Sequence, residues 1–358
     1  NKMKIALKVR RGVFRPGNST VDLRELEIPT PGHGQVLIKT KSSTICGSDI
    51  RAIYHEHLGK GPEGYQNVVA GHEPCGQIVQ CGEGMKRFKK NDRVIVYHIS
   101  GCGVCNDCRR GYMISCTSES RAAYGWQRDG GMSEYILADE KDLIFLPDEL
   151  TYTDGAQVAC GFGTVYEGID KIGVSGNDQV LITGLGPVGL AACMLAKSMG
   201  AQKIVGTDVS EERCQLAVDK GLVDEVFISD GDTLAKAMKA SSGFGYEKTI
   251  ECSGNTHARQ LCVRAARKWG KIALIGEGGT MELNPSPDLI HDQKTIYGSW
   301  VTSTWKMEEL VERLVRWGIH PEDLVTHRFT LDNADEAYKL MASGKCGKVA
   351  VVFDEEVK

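Results

Sequence analysis

The chain has 358 residues, 41% of them hydrophobic and 25% charged, with a formal net charge of −4. So mild an acidic balance, without a basic stripe, argues against a nucleic-acid surface. No apolar run approaches the roughly 20 residues of a membrane span, and the opening NKMKIALKVRRGVF lacks the apolar centre of a secretory signal. The length more often divides into two domains than fills one core. The 13 cysteines are an odd number, and Cys193, Cys214 and Cys262 lie singly in apolar segments, as small buried hydrophobes do. A reducing cytoplasm is the compartment expected from this usage.

The first third reads as all-β: QVLIKTKSS, GQIVQCG and DRVIVYHI are rich in Val and Ile and punctuated by turn residues. Next comes SGCGVCNDCRRGYMISC, roughly residues 101–117, with Cys102, Cys105, Cys108 and Cys116 spaced C-x2-C-x2-C-x7-C. In a reducing setting such a cluster points to metal rather than disulfides. Four thiolates close the tetrahedron around one zinc and leave no open position, so this lobe is structural. After DELTYTDGAQVACGFGTVYEG the pattern changes. From Gly176, strands (QVLITG, KIVGTD, EVFI, KTIECSG, KIALIG) alternate with helices (VGLAACMLAKSMG, SEERCQLAVDKG, HARQLCVRAARKWG), the mark of a parallel sheet covered on both faces. The tail adds the helix KMEELVERLVRWG, the helix DNADEAYKLMASG and the strand GKVAVVF. No fixed-period repeat or low-complexity tract occurs.

Within VLITGLGPVGL, the residues Gly184, Leu185, Gly186, Pro187, Val188 and Gly189 form G-x-G-x-x-G between a strand and a helix. There the glycines serve a tight turn, a close pyrophosphate approach and helix–strand packing. The helix N-terminus offers free N–H groups to phosphate. Asp208 stands at the end of the second strand, where an acid accepts the ribose hydroxyls and repels a 2′-phosphate; NAD is therefore expected over NADP. Arg213, close behind, offers a cation that offsets part of that preference. The competing view is that the glycines merely shape a turn and Asp208 caps a helix.

Three further segments carry reactive groups: STICGSDIR with Cys46, Ser48 and Asp49; VAGHEPCG with His72 and Glu73; and VACGFGTVYEG with Cys160. A catalytic zinc needs about three protein ligands and an open position, and Cys46, His72 and Cys160 would form a Cys2His set. Spacing does not join residues so far apart. Taken singly, each reads as readily as a buried cysteine or a satisfied turn histidine.

In this order, C-G-S-D, G-H-E, the four-cysteine lobe, C-G-F-G-T and G-L-G-P-V-G resemble the zinc-dependent medium-chain alcohol dehydrogenases, over essentially the whole chain, with polyol and threonine dehydrogenase-like character. The resemblance implies an α/β architecture: a GroES-like β-rich catalytic domain (residues 1–160), a Rossmann domain with a doubly wound parallel sheet (161–298), and a return to the catalytic domain (299–358). It implies that Cys46, His72 and Cys160 hold a catalytic zinc, giving two zinc ions per subunit. Glu73 matches the family's alternative or transient ligand. Asp49 orients the zinc-bound histidine, and Ser48 is the first proton-relay hydroxyl. Thr164, Ile275 and Gly276 join the glycine loop, Asp208 and Arg213 on the cofactor side.

The relay then departs from the pattern. Three positions after Ser48, where a histidine often continues it, stands Arg51, which stays protonated and cannot act as a base. His98 in VYHISGCG is the expected substitute, against the view that it only bonds a loop; His55 and His57 follow behind. Cys160 resembles the alcohol branch rather than the polyol enzymes, which place a carboxylate there. Tyr97 and His98 make the pocket polar where simple-alcohol enzymes are apolar. The expected reaction is hydride transfer between NAD and a secondary alcohol bearing further polar groups, a polyol or sugar. A simple alcohol or aldehyde is second, and threonine-type 3-hydroxy amino acids third. A non-catalytic nucleotide-binding protein is opposed by the complete ligand set. The resemblance also suggests a homodimer or homotetramer paired through sheet edges near KTIYGSW. The expected partner is a small-molecule alcohol or carbonyl compound, with neither nucleic acid nor membrane.

Overall fold

The Val- and Ile-rich runs of the first third become strands because their alternating side chains can face a buried layer. A computed structural model describes residues 1–8, 20–49 and 68–353. It divides into two units, Asn1–Gly163 with Thr302–Lys358, and Thr164–Val301. In the first unit, a seven-stranded sheet runs in the order Val325–Phe329, Lys348–Val352, Gln35–Ile45, Glu73–Cys81, Arg93–Val96 and Leu143–Phe145. Tyr135–Asp139 also pairs with Gln35–Ile45. All pairs are antiparallel except the first, which is parallel. One face buries Val36, Ile38, Ile78, Val94 and Val96. Near the C-terminal helix Ala334–Ser343, a second cluster joins Ile45, Met132, Tyr338, Val349 and Val351.

Register explains how this sheet builds a site. Thr44 pairs with Glu73, and Val349 pairs with Ile45. The last residues of one strand therefore lie beside the first residues of two neighbours, at one end of the sheet. Register shifts at Leu37/Ile38 and Thr40/Ser42 mark bulges that bend this long strand. The helix Tyr152–Gln157 opens on a capping box between Thr151 and Asp154 and leads directly into a π-helical turn, Val158–Phe162. Such turns are rare and re-aim side chains at functional positions.

The second unit holds six parallel strands: β1 (Gln179–Thr183), β2 (Lys203–Asp208), β3 (Glu225–Ile228), β4 (Tyr246–Glu251), β5 (Ala266–Leu274) and β6 (Thr295–Gly298). Their order is β3-β2-β1-β4-β5-β6, all in parallel register. This is the dinucleotide-binding order, whose direction of winding reverses beside β1. Helices α1 (Pro187–Ser198), α2 (Glu211–Asp219), α3 (Thr233–Ala240) and α4 (Thr256–Ala265) alternate with the strands. Two details differ from the sequence pattern. Helix α3 is short, buries only Ala237 and was not read from the sequence, and α4 stops at Ala265, so ARKWG belongs to β5. The apolar stripe of α4 (Ala258, Leu261, Cys262, Ala265) ends there, and the following Arg-Lys pair is exposed.

Candidate active site and metal centres

Cys46 follows the strand Gln35–Ile45, His72 precedes the strand Glu73–Cys81, and Cys160 sits in the π-helical turn. All three are buried, and their ligand atoms lie within 4.8 Å of one another. The Sγ atoms of Cys46 and Cys160 are 3.7 Å apart, too far for a disulfide. Asp49 orients two ligands at once. One oxygen accepts from His72 Nδ1 at 2.9 Å, and the other accepts the Cys46 backbone N–H at 2.9 Å. His72 Nε2 is consequently left facing inward, buried and without a hydrogen-bond partner. An orphaned imidazole nitrogen between two thiols is a set of donors that fits zinc.

The electrostatics agree. The hydrogen bond from Cys160 and the neighbouring His72 hold Cys46 well below the ordinary thiol range against the cost of burial, while Cys160 is raised well above it. Burial alone would lower His72, but Asp49 and then Cys46 raise it to about 10. Metal entry must displace that proton.

Glu73 lies under this cluster, fully buried. Its carboxylate accepts from Lys348 Nζ at 2.7 Å, Thr44 Oγ1 at 3.1 Å and the Gly161 N–H at 2.9 Å. Lys348 opens the strand that closes the sheet and is itself 3% exposed. Sequence reasoning missed Lys348, because a lysine before an apolar strand carries no local sign of a partner 275 residues away.

Ser48 is half-buried, with Oγ 3.5 Å from Cys46 Sγ. His98 is buried; its Nδ1 donates to the Ala159 carbonyl at 3.2 Å, and its ring centroid is 5.0 Å from that of His72. Burial, and then His72, push His98 down to about 3, so it is neutral. Tyr97 does not serve the pocket polarity expected of it. Its hydroxyl donates to the Thr302 carbonyl at 2.6 Å and accepts the Ile114 N–H at 3.3 Å, which commits it to backbone. Arg51, His55 and His57 lie outside the described residues.

The four-thiol lobe is built locally. Cys105 caps the short helix Asn106–Arg109, and Cys116 ends the turn Met113–Ser115. Backbone N–H groups point at sulfur: Cys105 to Cys102 at 3.3 Å, Cys108 to Cys105 at 3.4 Å and Cys102 to Cys116 at 3.4 Å. All four ligand atoms lie within 4.8 Å of one another. N–H bonds from Val104 and Cys105 bring the Cys102 thiol down to about 6, while burial pushes Cys108 up to about 12. A Cβ on Gly101 would stand 2.5 Å from Cys108 Sγ, so only glycine fits there.

In the second unit, Thr183 pairs with Thr207, so Gly184 and Asp208 emerge side by side at the carboxyl ends of β1 and β2. Gly184 has φ +85°, and a Cβ on Gly189 would stand 1.6 Å from the Gly184 carbonyl oxygen. These glycines are sterically required. Gly186 caps α1 and Pro187 takes its first turn, with Leu185, Val188 and Gly189 completing the loop. Asp208 accepts the Leu185 N–H at 2.7 Å and the Ser210 N–H at 2.8 Å. The Arg213 guanidinium carbon lies 3.5 Å from where a Cβ on Gly186 would stand. A cavity of about 600 Å³ opens here, lined by Gly184, Asp208, Arg213, Ser253 and Asn255 among others. Ile275 and Gly276 follow β5 at the same edge; both donate N–H to the Glu251 carbonyl. Thr164 is the first residue of this unit. No helix among the described residues is long and apolar enough to cross a membrane.

Comparison with known proteins places this geometry. Residues 32–148 match the alcohol dehydrogenase GroES-like domain, and residues 187–316 match the zinc-binding dehydrogenase domain. The chain is 52% identical over 353 residues to the uncharacterized zinc-type alcohol dehydrogenase-like protein YphC of Escherichia coli (strain K12), covering 98% of this chain and all of that one. It is 32% identical to an L-threonine 3-dehydrogenase of Shewanella baltica (strain OS155 / ATCC BAA-1091), covering 97% and 98% of the two chains. Two solved structures share its fold, each with a TM-score of 0.84. One, assigned as a zinc-binding dehydrogenase from Sinorhizobium meliloti 1021, is bound to NADP (25% identity; 99% and 100% covered). The other, an E. coli CFT073 alcohol dehydrogenase, is complexed with NADH (26%; 98% and 99%). The chain belongs to the zinc-dependent medium-chain alcohol dehydrogenase family and is an NAD(P)-dependent oxidoreductase.

Proposed function

We propose that this protein oxidises a secondary alcohol bearing further polar groups, a polyol or sugar, with NAD, and reduces the matching carbonyl in reverse. The carrying observation is the orphaned His72 Nε2, aimed between two thiols with the Ser48 hydroxyl beside them. Two zinc ions per chain follow from the two clusters, one on Cys46, His72 and Cys160 and one on Cys102, Cys105, Cys108 and Cys116. Zinc held by Cys46, His72 and Cys160 would supply a Lewis acid toward the substrate oxygen, and a nicotinamide would supply the hydride acceptor.

The chain's own residues do the rest. Asp49 holds Nδ1–H of His72 and so presents Nε2 to the metal. Ser48 takes the substrate proton. His98, with Nδ1–H committed to Ala159, offers Nε2 as the next acceptor. Burial and then His72 disfavour its charged form, so His98 is a weak acceptor. With Nδ1–H committed to Ala159, a proton taken at Nε2 can leave only from Nε2. Glu73, the alternative ligand, is held in place by Lys348, Thr44 and the Gly161 N–H. On the cofactor side, Thr164, the glycine loop, Ile275 and Gly276 receive the nucleotide. Asp208 keeps acceptor capacity for ribose hydroxyls, since a carboxylate has about four acceptor positions and two backbone N–H groups use only part of them. Arg213, across Gly186, would offer a cation that offsets part of the preference set by Asp208.

The threonine dehydrogenase relative supports a second reading, a 3-hydroxy amino acid substrate; a simple alcohol or aldehyde is third. A homodimer or homotetramer would use the exposed edge of β6, beside the half-exposed Trp300, and a reducing cytoplasm would keep the thiols free. A panel of polyols, simple alcohols and 3-hydroxy amino acids, assayed with NAD and NADP on protein of measured zinc content, tests all of this. Expected are about two zinc per chain and polyol-dependent reduction of NAD. Preference for NADP would overturn the role given to Asp208, and silence across the panel at full zinc would overturn the activity.

A further inference from the structure

We propose that the indole N–H of Trp126 binds a second oxygen of the substrate, on the carbon next to the one oxidised, and so selects vicinal diols. The inference rests on the dehydrogenase reading above and names the substrate class of that same site.

Trp126 lies in the loop Tyr124–Gly131, which is locked against the turn that carries His72. The Gly131 N–H donates to the Gly71 carbonyl at 2.9 Å, and the Met132 N–H donates to that of Ala70 at 2.8 Å. Gly125, at φ +83°, approaches so closely that a Cβ there would stand 2.8 Å from the Gly71 backbone. The indole is therefore held in place. Its ring centroid is 5.6 Å from that of His72, and the Lys8 ammonium, which donates to the Gly125 carbonyl at 2.9 Å, lies 5.6 Å from the indole ring. Trp126 is 8% exposed, yet its Nε1 has no hydrogen-bond partner. A buried N–H left unpaired is costly, and native proteins rarely keep one without a use. Close by, His72 Nε2 is also without a partner and is the nitrogen placed among the two thiols. Two unmet groups thus adjoin: one for the ion, one for an acceptor on whatever the ion holds.

The chemistry of that acceptor is restricted. An indole N–H only donates, so it needs an oxygen lone pair. A vicinal hydroxyl supplies one. The ammonium of a 3-hydroxy amino acid, on the equivalent carbon, offers only donors and is repelled. Trp126 therefore separates a diol from the substrate named for the threonine dehydrogenase relative.

The test uses zinc-loaded protein and three probes of one carbon skeleton: butane-2,3-diol, butan-2-ol and 3-aminobutan-2-ol. In a ¹⁵N–¹H spectrum recorded with NADH present, one tryptophan indole resonance should move with the diol and stay with the other two. Trp126→Phe identifies it by its loss. Should that variant fail to fold, cobalt(II) placed in the catalytic site alone identifies it by paramagnetic broadening. In kinetics with NAD, W126F should lower kcat/KM for the diol about tenfold, the worth of one hydrogen bond, chiefly through KM, and leave butan-2-ol nearly unchanged. An equal loss on diol and mono-ol, or an indole resonance indifferent to the diol, overturns the proposal. If none of the alcohols reduces NAD in wild type, the dehydrogenase reading fails, and the indole shift still decides the diol contact on its own.

Discussion

The two cysteine-bearing clusters of the first unit are made in opposite ways. The lobe takes four ligands from one stretch, Cys102 to Cys116, and satisfies its sulfurs with backbone N–H groups. The other takes three ligands from residues 46, 72 and 160, buries them all, and orients them with side chains, Asp49 above all. A locally wound clamp of four thiols has no room for a fifth partner and no need of remote support. A site assembled from the ends of strands and a π-turn leaves one position open and depends on everything that sets strand register. On the function proposed above, the closed, local cluster is the structural one and the open, dispersed cluster the reactive one.

The sharpest test of that contrast exchanges one thiol in each. Cys46→Ser should cost roughly 10⁴-fold in turnover, the several kcal/mol that a metal supplies to developing charge, and reduce zinc from two to one per chain. Cys105→Ser should also remove one zinc, but lower thermal stability while the folded fraction keeps most of its turnover. Equal losses of activity would erase the distinction. Ser48→Ala comes next. With both ions retained, kcat should fall about 10²–10³-fold, within the range of a general acid–base group. His98→Asn should alter the pH dependence of turnover if the proton travels that way; an unchanged profile at full rate restricts His98 to shaping the pocket.

Asp49→Asn probes the remote support directly. Zinc affinity at the open site should weaken by about 10–100-fold, because the carboxylate that fixes the His72 tautomer is lost, and the lobe should be untouched. Competition with a chromophoric chelator would show two zinc populations diverging. If both release together, the sites are coupled in a way their separate construction does not provide. No equivalent single variant exists for the lobe, whose orienting groups are backbone N–H.

Legibility in the sequence follows the same division. Much of what is local was readable: the four-thiol spacing, the glycine loop with its strand and helix, and the alternation of β1 to β5 with α1, α2 and α4. The dispersed site was not, since nothing near Cys46 points to His72 or Cys160; only the ordered resemblance joined them. Lys348 beneath Glu73, and Trp126 beside His72, were invisible for the same reason, because strand register and loop packing choose their neighbours. Tyr97 shows the converse error. Its polarity was legible, but its partners, the Thr302 carbonyl and the Ile114 N–H, were not.

The smallest expected effect lies at the N-terminal end of the helix that leads to Cys160. Asp154 caps the helix Tyr152–Gln157, which runs into the turn holding Cys160, and its carboxylate accepts from His320 Nδ1 at 2.7 Å and from the Glu322 N–H at 2.9 Å. The bond to Asp154 raises His320 above its ordinary value, slightly opposed by burial. The folded protein thus holds this proton more tightly than the unfolded chain. The contribution to stability is complete below the unfolded value of about 6.5 and drains away as pH rises through the raised one. The His320 side chain is 39% exposed, so solvent screening keeps the effect small. His320→Gln should lower the melting temperature by no more than about 2 °C near pH 6 and change it little near pH 9. The zinc of the lobe should not respond, while that of the open site should exchange slightly faster in the variant at low pH. A pH-independent loss would mean that His320 acts through packing, and the helix leading to Cys160 would then owe its position to the Thr151–Asp154 cap alone.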